Sequence, residues 1–207
     1  MHSETAAAQA AFDLMARRYE ASVASRAYYF SRFRRFLRRF APAGKRVLDV
    51  GCGTGLVSRP LADADLVGLD ISPKMLEHAR LRRPQGVFVL GDFHDPLPTP
   101  AGKYDAIVAG SCLEFCWDLP RVCRNIADAL EPGGHALITP VHPAKGHPRR
   151  EQASPKFPGL VMHSYGRAEA ERAITGAGLR VVSDELGRGW NMRTRVIWYR
   201  YWHVRKP

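Results

Sequence analysis

Three aspartates, Asp49, Asp70 and Asp92, each stand at or near the C-terminal end of a short apolar run, in VLDV, LVGLD and VFVLGD. Between the first two lies the turn Gly51-Cys52-Gly53-Thr54-Gly55. Glycines at a strand-to-helix turn let backbone N–H groups and the dipole of a following helix face a ligand. A carboxylate beside such a turn can anchor those N–H groups or receive a ligand's ammonium. A second acid about twenty residues further on, at the end of the next strand, can accept both hydroxyls of a ribose; the alternative for Asp70 is a helix-capping role near Ser72. A phosphate-binding P-loop needs Gly-Lys followed by Ser or Thr, and Gly55 is followed by Leu56 and Val57, which excludes it. A dinucleotide fingerprint places its third glycine where this chain has Leu56. What remains is a nucleotide-like ligand of another kind, read by a GxGxG spacing.

Such a constellation needs a sheet whose strands end together. From Lys45 onward strand and helix patterns alternate, as in a parallel sheet covered by helices on both faces. The patterns predict strands near 46–50, 65–69, 86–90, 104–109, 134–140, 179–185 and 193–201, and helices near 55–63, 73–83, 119–131 and 166–177. Ser72 can cap the helix that Pro73 opens, and the EPGG segment at 131–134 ends another. All three acids then line one sheet edge, where ligands bind in open α/β folds.

Residues 1–43 read as an N-terminal helical cap on a core of 44–207, the whole forming one domain. Phe12, Met15, Ala16 and Tyr19 fall at helix spacing; Phe30, Phe33, Phe36, Leu37 and Phe40 form a second stripe with Arg32, Arg34, Arg35, Arg38 and Arg39 between them. That basic face is either a solvated helix surface or a platform for phosphates or an anionic membrane. Residues 142–163, with four prolines, read as a lid or recognition insert, or as a plain surface excursion. With 31 Lys+Arg against 20 Asp+Glu, the net charge is +11 and the pI about 10.0, a balance that suits an acidic partner or a basic proteome equally. Cys52, Cys112, Cys116 and Cys123 show neither zinc-site nor disulfide spacing, so no metal site is expected, and no long apolar run suggests a membrane span. Glu4, Gln9 and Asp13 interrupt any secretory signal, which points to the cytoplasm.

VLDVGCGTG, GLDISPKML, LGDFHDPLP, YDAIVAGSCLEF and LEPGGHALI, in this order, resemble the class I S-adenosylmethionine-dependent methyltransferases, most closely their small-molecule branch, from about Lys45 to Ser183. The resemblance implies a Rossmann-like, doubly wound α/β sheet of seven strands, mostly parallel with the last antiparallel, and S-adenosylmethionine lying across the glycine turn. It implies that Asp49, Gly51, Gly53 and Gly55 hold the methionine end and Asp70 the ribose hydroxyls. Ile71 would pack on adenine, Asp92 would accept from its amino group, and the Phe93 N–H would donate to its ring. Ser111 would lie near the methionyl group and the substrate, and Tyr19 would close over the cofactor.

A methyl on a sulfonium is already activated, so transfer needs in-line approach and exclusion of water, with a base only where the acceptor must lose a proton. Glu114, His142 and His163 are the candidate bases, with His94 behind them. Tyr28, Tyr29, Phe115 and Trp117 can line a sulfonium with their ring faces or simply pack. The expected activity is methylation of a small molecule at oxygen, nitrogen or carbon. An RNA-directed methyltransferase is the second reading, although the fourth strand lacks an Asn/Asp-Pro-Pro-Tyr/Phe motif, and a non-catalytic cofactor-binding module is the third.

Overall fold

The computed structural model describes residues 2–23, 27–59, 61, 65–143, 149–154, 157–192 and 195–207. The apolar runs form β1 (Arg46–Val50), β2 (Asp65–Asp70), β3 (Val87–Leu90), β4 (Tyr104–Ala109) and β5 (Leu130–Ile138), which pair in parallel in the order β3-β2-β1-β4-β5. β10 (Arg195–Arg205) runs antiparallel to β5, and β9 (Arg180–Met192) pairs along the far edge of β10. β6 (Val141–His142) continues the line of β5 past Pro140, on the same edge of β10. Among the described residues the sheet therefore has eight strands but is seven wide.

Period-2 alternation sends successive side chains to opposite faces. Val47, Ala106, Val108, Tyr199 and Tyr201 pack against α2 (Ala27–Phe40), whose Phe33 and Leu37 are fully buried. Leu48, Val50, Ile107, Ala109 and Trp202 face α4 (Leu119–Ala129) and α5 (Arg167–Gly176). α3 (Pro73–Arg82) starts as its sequence dictates, with the Ser72 Oγ accepting from the Met75 N–H at 3.0 Å. α1 (Ser3–Val23) lies across the C-terminal end of the sheet, tied to α3 through Asp13 and Glu20. None of the described helices is long and apolar enough to cross a membrane. All four cysteines are free and buried.

One expectation is corrected. The helix expected near 55–63 is absent among the described residues there; positions 53–59 are turns. Gly53 and Gly55 take φ of +53° and +77°, outside the helical region, and the Gly55 N–H turns back to the Cys52 carbonyl. The 142–163 segment, read as a lid or recognition insert or as a plain surface excursion, contains two strands, β7 (Arg149–Ala153) and β8 (Val161–Tyr165), which form a separate antiparallel pair; 144–148 and 155–156 lie outside the described residues. β8 leans on the short 3-10 helix Leu113–Phe115, where the Tyr165 hydroxyl donates to the Cys116 carbonyl.

Candidate functional site

The strand order reverses at β1, between β2 and β4, and in open α/β sheets the crevice beyond the strand ends at that point takes ligands. A cleft opens there. Gly51 and Gly53 line it from the β1 turn, Asp70 and Ile71 from β2, Asp92 and Phe93 from β3, and Ser111 from β4; Tyr19 comes from α1. Thus strand ends far apart in sequence, together with α1, bring eight of the ten expected cofactor residues to one cavity. The other two stand behind the turn: Asp49 is 1% exposed, and Gly55 borders a different hollow with Ser58 and Arg59.

Asp70 organises the turn. Its Oδ2 accepts from the Gly53 N–H at 2.7 Å and its Oδ1 from the Ser72 N–H at 2.9 Å. Burial pushes its carboxyl up to about 6, against the opposing pull of those two N–H groups and with Asp13 adding to the rise. Burial also lifts Asp49 to about 7, although Ser58 bonds it; its Oδ2 has no hydrogen-bond partner.

Asp92 differs. Burial works to raise its carboxyl, but bonds from His94 and Thr5 outweigh it and hold the group below its ordinary value. The Thr5 hydroxyl donates to Oδ2 at 2.8 Å, and His94 Nδ1 meets Oδ1 at 2.7 Å. Because the Trp117 N–H donates to His94 Nε2 at 3.3 Å, the imidazole proton sits on Nδ1 and points at Asp92. His94 in turn stacks on Trp117, and Trp117 on His2, each with 4.3 Å between centroids. Thr5, Ala8, Phe12, Met75 and Phe115 complete the walls. The aromatic spacing of α1 signalled Phe12, but nothing local signalled Thr5.

The candidate bases are dispersed. Glu114, in the 3-10 helix, is 3% exposed and its Oε1 accepts from the Tyr199 hydroxyl at 2.9 Å. His163, on β8, is buried with Nε2 at 2.6 Å from Glu4 Oε2 on α1. His142 is half-buried on β6, and burial together with the Arg200 charge lowers its pKa. None of the three lines the cleft. Among the described residues no group of three or more His, Cys, Asp or Glu is arranged to hold a metal.

Residues 48–138 match the family model for a methyltransferase domain. Over 174 residues the chain is 36% identical to the ubiquinone biosynthesis O-methyltransferase of Xanthomonas axonopodis pv. citri, a match covering 76% of this chain and 73% of that protein. The chain belongs to the class I S-adenosylmethionine-dependent methyltransferases. It spans between 28% and 47% of the length of seven other curated relatives. The fold is shared with Burkholderia thailandensis 1,6-didemethyltoxoflavin-N1-methyltransferase, at TM-score 0.73 and 17% identity over 97% of this chain and 88% of that one. It is shared equally with a Haloferax volcanii methyltransferase complexed with the activator Trm112, at TM-score 0.73 and 22% identity over 92% and 96%.

The cleft of this methyltransferase fits the family's cofactor. A Cβ on Gly53 would meet only the Tyr19 ring, at 3.8 Å, so ligand atoms can lie directly over that backbone. Ribose hydroxyls would donate to an ionised Asp70, whereas the free carboxyl, pushed up to about 6 by burial, holds its proton below that value. Affinity for S-adenosylhomocysteine should therefore fall about tenfold per pH unit below that value and level off above it. The sign for folding is opposite. The raised carboxyls of Asp49 and Asp70 bind protons more tightly folded than unfolded, so their stability contribution is present at low pH and lost as pH rises through about 6 and about 7. Calorimetric titrations from pH 5 to 8 check the first statement; a flat affinity profile would refute it.

Proposed function

We propose that this methyltransferase transfers a methyl group from S-adenosylmethionine to a small-molecule acceptor in the cytoplasm. The observation that carries the reading is the convergence of Asp70, Ile71, Asp92 and Phe93 with the glycine turn in one cleft closed by α1. Relatives named for ubiquinone biosynthesis and for 1,6-didemethyltoxoflavin support an acceptor of that class.

When bound, the cofactor supplies a methyl group activated by its positively charged sulfur. The protein's part is orientation and exclusion of water. Asp70 orients the ribose while fixing the Gly53 amide; Ile71 packs on the adenine, and Asp92 with the Phe93 N–H selects its edge. Asp49, Gly51, Gly53 and Gly55 shape the place of the methionine end, Asp49 and Gly55 from behind. Ser111 faces the transferred methyl. α1 covers the cleft with Tyr19, Phe12 and Thr5, and His163 on β8 reaches α1 through its contact with Glu4.

The RNA-directed reading draws on Arg34, Arg35, Arg38 and Arg39, which are all exposed on α2. A metabolite extract supplied with isotopically labelled donor, with products followed by mass spectrometry, should yield a labelled small molecule. Label appearing only in RNA, with binding that weakens steeply as salt is added, would replace the first reading by the second.

A further inference from the structure

A second, smaller hollow adjoins the cofactor cleft. Tyr19, Gly51 and Ser111 border both spaces, so the two meet where the transferred methyl is expected. The walls of the smaller one are Tyr29 and Phe30 from α2, Leu56 and Val57 beyond the glycine turn, and Ser111. No lining side chain carries a charge.

Behind Ser111 lies a buried chain of hydroxyls ending on a carboxylate. The Ser111 side chain hydrogen-bonds both Tyr29 and Tyr199. Tyr199 donates to Glu114 Oε1 at 2.9 Å, and the Tyr29 hydroxyl lies 3.4 Å from Thr139 Oγ1. Tyr199, Glu114 and Thr139 are each at most 3% exposed. Burial first, then the charge of Glu114, raises both phenols well above their ordinary pKa, so they stay protonated and pass protons rather than hold a charge. Ser111 itself has φ of +56°, the one positive value of a non-glycine residue among the described residues. A side chain in that region is strained and persists where its surroundings enforce it, most often at functional sites. Here the conformation sets the Ser111 hydroxyl between the hollow and the two tyrosines.

We propose that this hollow seats an uncharged hydroxyl compound, and that the acceptor's proton leaves through Ser111 and Tyr199 to the Glu114 carboxylate. The proposal rests on the methyltransferase reading above. As the acceptor oxygen bonds to the methyl carbon, the carbon–sulfur bond breaks and sulfur keeps its electron pair. The O–H proton passes to the Ser111 oxygen, the Ser111 proton to the Tyr199 oxygen, and the Tyr199 proton to Glu114. The products are a methyl ether, neutral thioether and a protonated carboxyl, which returns its proton to water when the site opens. Ser111 touches the acceptor; Tyr199 and Glu114 are positioning residues that act through it. An amine acceptor presents a lone pair without losing a proton first and leaves this chain of hydroxyls unused.

The test uses catechol and 4-nitrocatechol as probes, with S-adenosylhomocysteine affinity measured for every variant. Wild-type protein should methylate an oxygen of catechol. Tyr199→Phe keeps the ring that fills the core and should cut turnover of catechol about 100-fold, at the lower end of general-base effects. With 4-nitrocatechol, already ionised near neutrality and with little proton to pass, the loss should stay below about tenfold. Glu114→Gln should repeat the pattern. Leu56→Trp, which fills the hollow, should raise the KM for catechol without weakening S-adenosylhomocysteine. Equal losses on both probes, absence of catechol methylation, or a Leu56→Trp variant that loses the cofactor product instead would overturn the proposal. Each of those outcomes with intact wild-type S-adenosylhomocysteine binding leaves the methyltransferase reading standing; absence of that binding removes both.

Discussion

Asp70→Ala should raise the Kd for S-adenosylhomocysteine by at least about 100-fold. Two ribose hydroxyls donating to a charged acceptor are worth roughly 1.5–3 kcal/mol each, and every 1.4 kcal/mol is about a factor of ten. The structure adds a second effect, because the same carboxylate accepts from the Gly53 and Ser72 N–H groups. Alanine leaves both donors without an acceptor, so the variant should also lose roughly 1–3 kcal/mol of stability. Asp70→Asn separates the effects. It retains one acceptor oxygen for the turn but loses the charge, and should recover more stability than affinity. Calorimetry of both variants, with thermal melting alongside, checks the pair. Unchanged affinity in a folded Asp70→Ala protein would remove the residue from the ribose role.

The parts of the site that local pattern rules govern were legible in the sequence. A β-strand ends where its apolar run meets a turn, so Asp70 and Asp92 could be placed at strand ends from VGLD and VLGD alone. The parallel order followed from alternation, and with it the single edge on which those ends meet. The turn after β1 was legible in position but not in shape. Leu56, Val57 and Leu61 match a helical period, yet the positive φ of Gly53 and Gly55 keeps residues 53–59 in turns. Contacts made by chain closure were not legible at all. Thr5 reaches Asp92 across 87 positions, Tyr199 reaches Glu114 across 85, and Glu4 reaches His163 across 159. No periodicity encodes such pairs. Glu114 read as an acid at the sheet edge, and its burial appears only once β10 returns beside β5 and brings Tyr199 onto it. Likewise α1 read as an amphipathic helix, whereas the polar residues Thr5 and Asp13 are what fasten it over the cleft.

The glycines of the turn are expected to fail in different ways when substituted, and the contrast answers what excludes side chains there. At Gly51 the obstacle is the protein. An added Cβ would lie 2.3 Å from the Cys112 Cβ and 2.9 Å from its sulfur, at φ of +63°. Overpacking costs roughly 1–3 kcal/mol and the left-handed backbone about 1–2 more. Gly51→Ala should therefore lower the melting temperature by roughly 10 °C, at about 2–4 °C per kcal/mol for a chain of this size. Adding Cys112→Gly removes the clashing Cβ and should restore part of that loss. At Gly53 the expected obstacle is the ligand. Its Cβ would enter the cleft with only Tyr19 near, at 3.8 Å, and φ of +53° brings the backbone cost alone. Gly53→Ala should melt within a few degrees of the parent, roughly 1–2 kcal/mol weaker, yet bind S-adenosylhomocysteine at least about tenfold less tightly. A Gly53→Ala protein with parental affinity would mean that nothing presses on that backbone. A Gly51→Ala protein with parental melting would mean that Cys112 yields, and that the first glycine is kept for the ligand as well.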